Sequence, residues 1–288
     1  MNVLSDIIYF VVYRLVRYRR RVTRTNLAHA FPELTVEQRN TIERAYYHHI
    51  SDLLVEGLYN LYARPQAIMQ RYHFVNRQLV NHYYEQGQSV ILMSAHYNNW
   101  EYMITSLNYQ LMHHGVGVGK PLDDKLVATY VTRRRGRYGT EIVDHTNVRQ
   151  TMDYYHTHQV PVAYMMLSDQ SPSDEHRCFW TTFLHQETPF LYGAEHFARK
   201  YNMPVLYYEV TKTSRGRYEV RFSLLCDKPD EVPQYTITLR YIQQLEKTIT
   251  AVPQYWLWSH RRWKRHRPSD VPLHEREEVN NEKEFNDL

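Results

Sequence analysis

Short apolar runs bounded by turn residues, each followed by a longer stretch with helical spacing, recur through the middle of this chain and restrict it to an α/β sheet. The clearest run is SVILMSA at 89–95, closed off by Gly87 and His96. A run so short and so uniformly apolar suits a strand covered on both faces. The stretch 99–113 that follows reads as a helix, with Asn98 or Asn99 able to cap it. The pattern repeats as helix 124–135 with strand 140–144, helix 147–158 with strand 160–168, and helix 190–201 with strand 205–211. Residues 217–225 read as the hairpin partner of that last strand, and 236–252 as a further helix. Upstream, Thr35 with Gln38 starts a helix that Pro65 ends. The expected fold is a central mixed sheet covered by helices.

At 288 residues the chain suits one large domain with small appendages. The expected division is a basic segment at 1–25, a main domain at 26–268 and an acidic, poorly ordered tail at 269–288. In the first segment Leu4, Ile7, Ile8, Val11, Val12, Leu15 and Val16 recur at helical spacing, and Arg14, Arg17, Arg19, Arg20, Arg21 and Arg24 follow or interleave. The apolar stretch is far shorter than the roughly 20 residues of a bilayer span. It reads as a helix lying in the interface of an anionic membrane, the alternative being a core-packing helix with a solvated basic end. Cys178 and Cys226 are too few for a disulfide framework and read as reduced thiols. Cysteine and histidine nowhere take zinc spacing, so no metal is expected.

Ligands of open α/β sheets sit beyond the carboxyl ends of strands. Two such ends carry polar groups here, Ala95-His96 and Ser168-Asp169-Gln170. In His96-Tyr97-Asn98-Asn99-Trp100-Glu101 the acid lies five positions after the histidine. That spacing does not share a helix face. It works if His96 sits in the turn and Glu101 in the first helical turn, its carboxylate folding back onto the imidazole. Glu101 would then orient the ring and stabilise the imidazolium while His96 takes a proton. The helix start beside it offers N–H groups to a developing oxyanion. With 17 histidines and 31 acids, however, such a pair also arises by chance. Arg133, Arg134, Arg135 and Arg137, with Lys120, suit phosphate groups or form a solvated basic face. The segment YWLWSHRRWKRHR at 255–267 mixes aromatic and basic residues and reads as a contact with anionic lipid, because no nucleic-acid motif stands elsewhere.

These pieces resemble the lysophospholipid acyltransferase superfamily and, within it, the late acyltransferases of bacterial lipid A biosynthesis. The resemblance runs from about Tyr18 to Pro268. It is carried in order by YRRRVTRTNLAHAFPEL at 18–34, AHYNNWE at 95–101, RRGRYG at 134–139, SDQSP at 168–172, PFLYGAEHFARKYNMPVL at 189–206 and PQYWLWSHRRWK at 253–264. The first and last blocks are long and specific. The resemblance implies an acyltransferase-type fold at the cytoplasmic face of the bacterial inner membrane, peripheral or shallowly anchored. It implies an acyl-carrier-protein thioester, or acyl-CoA, as donor and a hydroxyl of a lipid A precursor or related glycolipid as acceptor, the alternative being another lysolipid or an aminolipid, with no dissociable cofactor. His96 would be the base and Glu101 its partner. Arg135 and Asp169 align with functionally important residues of the family, and Arg137 is a neighbouring candidate for the arginine. Asn99, Lys120 and Gln170 complete the expected substrate-binding set. Relatives often carry glycine at the positions of Ala95 and Asn98; asparagine tolerates the left-handed backbone a turn needs there. A hydrolase using the same strand end is the competing activity, and it lacks a Gly-x-Ser-x-Gly elbow. A non-catalytic lipid- or nucleic-acid-binding protein is the third reading.

Overall fold

The computed structural model describes residues 2–120 and 124–275. Its elements begin with α1 (Asn2–Tyr9), a π-helical stretch (Phe10–Leu15), α2 (Arg20–Ala30), α3 (Val36–Tyr62) and α4 (Pro65–Met69). There follow β1 (Tyr72–Phe74), α5 (Gln78–Glu85), β2 (Val90–Ser94), α6 (Trp100–Gln110), β3 (His114–Gly119), α7 (Lys125–Arg135), β4 (Glu141–Asp144), α8 (Val148–Thr157) and β5 (Val162–Leu167). The chain continues through β6 (Phe179–Phe183), β7 (Gln186–Phe190), α9 (Gly193–Tyr201), β8 (Val205–Ser214), β9 (Arg217–Cys226) and α10 (Thr236–Ala251).

Among the described residues the strands form one seven-stranded sheet in the order β1-β9-β8-β2-β5-β3-β4, and β6 pairs separately with β7. The β8–β9 pair is antiparallel and the other neighbours in the large sheet are parallel, so the sheet is mixed. β2 is central and buried along its whole length, which is why its sequence runs apolar without alternation. Alternate residues of one strand enter opposite cores: Ile91 and Met93 on one face, Val90 and Leu92 on the other. The long helix α3 starts where its sequence suggests, on a capping box. Thr35 accepts from the Gln38 N–H, and the Gln38 side chain accepts from the Thr35 N–H.

Three stretches differ from the sequence pattern. HGVGVG at 114–119, to which the sequence pattern assigns no element, is a strand. A Cβ on Gly115 would stand 2.4 Å from Asn108 Oδ1 and 2.8 Å from Leu107 Cβ, so glycine is what lets α6 lie against β3. Residues 111–113 leave the helix, Leu111 being extended. Residues 186–190 join a β-hairpin, and the helix expected from 190 begins at Gly193.

The amino-terminal segment has two unlike faces. One packs along α3: Ser5 donates to Asp52 at 2.6 Å, the Tyr9 ring stacks on His48 at 3.5 Å, and Tyr13 lies 5.2 Å from Tyr47. The other exposes Val3, Leu4, Ile7, Phe10, Leu15 and Val16. Part of the arginine cluster is structural, since Arg20 and Arg24 both pair with the buried Glu43. No helix among the described residues is long and apolar enough to cross a membrane. Of the expected acidic tail, 276–288 lie outside the described residues. Within 269–275, His274 donates its N–H to the Trp180 carbonyl at 2.8 Å and stacks on Phe179 at 4.5 Å.

Candidate active site

β2 and β5 lie side by side and end together, Ser94 opposite Leu167, with the Ser168 N–H donating to the Ser94 carbonyl at 3.2 Å. From β2 the chain crosses to β3 on one side, and from β5 it crosses to β8 on the other. Each connection therefore runs past the neighbouring strand, and the residues just beyond the two carboxyl ends are left side by side. His96 stands two residues beyond β2 and Asp169 two residues beyond β5.

The two meet. His96 Nδ1 lies 2.7 Å from Asp169 Oδ1, and the His96 backbone N–H donates to Asp169 Oδ2 at 3.1 Å. The indole N–H of Trp256 donates to the same Oδ2 at 2.9 Å. A carboxylate only accepts, so Nδ1 of the neutral ring carries the proton and Nε2 keeps a lone pair. The Gln170 amide nitrogen stands 3.1 Å from Nε2 and donates to that lone pair. Trp100 packs edge-on against the ring, centroids 5.1 Å apart, and limits its rotation. Asp169 is sealed in, whereas the His96 side chain keeps 19% of its surface open, so a substrate can reach the ring but not its partner. Burial alone would push the Asp169 carboxyl up. The facing His96 ring and the N–H donors outweigh it and hold the group below the usual carboxylate range.

The turn that delivers His96 is built by asparagines. Asn98 takes a left-handed φ of 52°, donates from its amide to the Val210 carbonyl, and replaces the glycine such a turn favours. Asn99 caps α6 by accepting the Tyr102 N–H at 2.9 Å and donates to the buried Glu56 at 2.6 Å. Both contacts of its side chain are to scaffold.

Glu101 does not fold back onto the imidazole. Its carboxylate receives the fork of Arg135, with contacts of 2.8 and 2.5 Å. The reason is geometric: α6 begins at Trp100, and the first helical turn carries Glu101 toward the end of α7, while the neighbouring strand end brings Asp169 to the ring. The arginine cluster divides in the same way. Arg134 donates to the Leu61 carbonyl, and Arg137 donates to the carbonyls of Asn60, Ala63 and Arg134. Both satisfy the last carbonyls of α3. Arg135, by contrast, lines a cavity of about 200 Å³ together with Lys120. The wall of that cavity is mainly apolar, with Ile104, Gly117, Val131, Ile142, Met165 and Leu167.

The aromatic–basic segment at 255–267 divides: Arg261, Lys264 and His266 are exposed, while its core is not. Trp256, Trp258 and Arg262 are buried, at 2%, 0% and 1% exposure, and so do not contact lipid. Instead the segment braces the site: the Asn98 N–H donates to the Tyr255 carbonyl at 3.0 Å, and the Ser171 N–H to His260 Nε2 at 3.1 Å. Burial holds His260 down to about 4, which keeps it a neutral acceptor. Residue type alone did not separate a wet tryptophan from a buried one. Cys178 and Cys226 are both buried and unbridged. No group of three or more His, Cys, Asp or Glu side chains among the described residues could hold a metal ion.

A search of curated proteins returns no match. The family model described as bacterial lipid A biosynthesis acyltransferase matches residues 3–265. That span takes in the His96 turn, the Arg135 fork, the Asp169 strand end and the Trp256 brace. The chain belongs to the bacterial lipid A biosynthesis acyltransferase family and is an acyltransferase.

Proposed function

We propose that this enzyme moves a fatty acyl group from an acyl-carrier-protein thioester to a hydroxyl of a lipid A precursor, with His96 as general base. The observation that carries the reading is the partly exposed His96 ring, its Nε2 an acceptor, backed by the sealed Asp169 carboxylate at 2.7 Å. A substrate hydroxyl displaces the Gln170 amide from Nε2 and gives its proton to the ring as its oxygen attacks the thioester carbonyl. Asp169 keeps Nδ1 protonated and stabilises the imidazolium. The tetrahedral intermediate collapses with loss of thiolate, and the imidazolium returns the proton to sulfur, so the products are an ester and a free thiol. The amino end of α6 and the Arg135 guanidinium supply positive potential for the oxyanion. Glu101 serves by holding Arg135.

The apolar cavity behind Arg135 suits the acyl chain, and Lys120 with Arg135 at its rim suits a phosphate of the donor's arm or of the acceptor. Acyl-CoA carries the same arm and is the alternative donor. The exposed apolar face of α1 and the π-helical stretch, flanked by Arg14 and Arg17, suits attachment to an anionic membrane at the cytoplasmic face of the inner membrane.

The test is a mass-spectrometric lipid profile of cells lacking this gene, complemented with the wild type or with His96→Ala. The reading expects lipid A to lose one acyl chain in the deletion and to regain it only with the wild type. An unchanged lipid A would refute the acceptor, and a different lipid short of one chain would name the true one.

A further inference from the structure

We infer that Trp256 is a positioning residue for His96, acting through the hydrogen bond its indole donates to the buried Asp169 carboxylate. The inference rests on His96 being the base, and its test separates the two.

Two of the three donors on Asp169 come from His96 itself, the ring and the backbone N–H. A carboxylate held by one residue can still rotate about its last side-chain bond, which has a broad torsional preference. Trp256 supplies a third donor from a distant part of the chain, at 2.9 Å. Its indole is fixed before any substrate arrives. Trp256 packs edge-on against Trp258 at 4.8 Å, and Trp258 Nε1 donates to the Pro253 carbonyl at 2.6 Å. The following residues are anchored to α2 and α3: the Asn26 amide donates to the Trp258 carbonyl at 2.8 Å, and the Ser259 N–H to Tyr46 Oη at 3.1 Å. Tyr97 Oη donates to the Val252 carbonyl at 2.9 Å, so the brace also holds the turn that carries His96.

The other ionisable groups that act on the pair do so through space, without a hydrogen bond to the carboxylate. Arg262 donates to the Pro189 carbonyl and packs on Phe190, His260 accepts from Ser171, Tyr241 donates to the Ser94 carbonyl, and Tyr207 donates to Thr248. Tyr208 is buried and protonated on the opposite face of β8. Among the described residues, Trp256 is thus the donor outside His96 that touches the carboxylate.

Removing the indole N–H leaves the carboxylate charge less neutralised. A more basic carboxylate favours the imidazolium, so the titrations of Asp169 and His96 both move to higher pH. The base is then protonated over more of the working range, and the ring is less firmly aimed. The acid limb of the activity profile should move up, and kcat should fall about tenfold, the size expected for a lost hydrogen bond to a charge. KM should stay within about twofold, because Trp256 makes no contact with substrate in this reading.

The experiment compares wild type with Trp256→Phe and with benzothienylalanine at 256, which keeps the ring shape but puts sulfur in place of N–H. His96 is titrated by NMR on ring-labelled histidine, assigned with His96→Gln, and kcat and KM are measured with an acyl-carrier-protein thioester across pH. The expected result is a His96 midpoint raised by about half a pH unit or more in both variants, with the kcat loss above. A benzothienylalanine form that folds and keeps the wild-type titration and kcat would overturn the inference, whatever Trp256→Phe does. A raised midpoint in enzymes that transfer no acyl group, wild type included, would uphold the positioning role and refute the acyl-transfer reading instead.

Discussion

Asp169→Asn should cost far more activity than Glu101→Gln. The amide at 169 must choose an orientation. Oδ2 accepts two N–H donors, from Trp256 and from the His96 backbone, so the amide oxygen belongs there. The amide nitrogen then faces His96 Nδ1, where Oδ1 stood at 2.7 Å. A donor at that position turns Nδ1 into an acceptor and puts the ring proton on Nε2, which removes the base. Flipping the amide back would set two N–H donors against an NH₂ group, at about 1–3 kcal/mol for each buried mismatch. The wrong tautomer is therefore favoured by about 2–6 kcal/mol, and the charge that stabilises the imidazolium is gone as well. A loss of about 10³–10⁴ in kcat is expected, as for the buried aspartate of a hydrolytic triad. Glu101→Gln loosens Arg135 in a pair whose side chains are 28% and 26% exposed, and should cost only about tenfold. Single-turnover transfer from a labelled acyl-carrier-protein thioester to a lipid A precursor measures both, with thermal melts to verify folding. Asp169→Asn within about tenfold of wild type, beside an inactive Glu101→Gln, would refute the assignment of Asp169 as the partner of the base.

Three further predictions follow from the same geometry. A Cβ at Gly117 would lie 3.4 Å from Ile142 Cδ1 and 3.8 Å from Ile104 Cγ2, so Gly117→Val extends into the apolar cavity; competition among donors of graded length should show a preference for chains about two methylenes shorter, at about 0.8 kcal/mol each, and an unchanged length profile would refute the cavity as the acyl site. Burial drives His49 down to about 3 and His113 down to about 4, from 6.5. The unfolded chain therefore takes up protons the folded one refuses. Stability is full above about pH 6.5 and falls below it by about 1.4 kcal/mol per pH unit for each histidine. Urea unfolding of His49→Phe should lose one histidine's share of that slope, and an identical slope would count against it. Ile7 and Phe10 are each 55% exposed on the amino-terminal segment. Changing both to aspartate should weaken sedimentation with anionic vesicles about tenfold or more while leaving the melt near wild type, and unchanged binding would remove this face from the membrane contact.

Much of the fold is legible in the chain because it depends on local rules. β2 reads from SVILMSA, α3 from its capping box, and the β8–β9 hairpin from its alternation. β3 does not, because its glycines answer to Asn108 and Leu107, residues whose packing is a tertiary fact. His96 and Asp169 each read from a strand end, but their pairing does not. Asp169 lies 73 residues away and arrives only because β5 pairs with β2, a matter of sheet order rather than chain order. Spacing singled out Glu101, which is near in sequence yet turned toward Arg135. The amino-terminal segment reads as either membrane-facing or core-packing; one of its faces packs on α3 and the other leaves apolar residues exposed.

The most direct measurement incubates the purified enzyme, as wild type and as His96→Ala, with an acyl-carrier-protein thioester and a lipid A precursor, and follows both lipid and fatty acid by mass spectrometry. The account predicts that the wild type adds one acyl chain as an ester, releases the free thiol, and that His96→Ala, folded as judged by its melt, does neither. Equal product from His96→Ala, or free fatty acid with no acylated lipid, would contradict it.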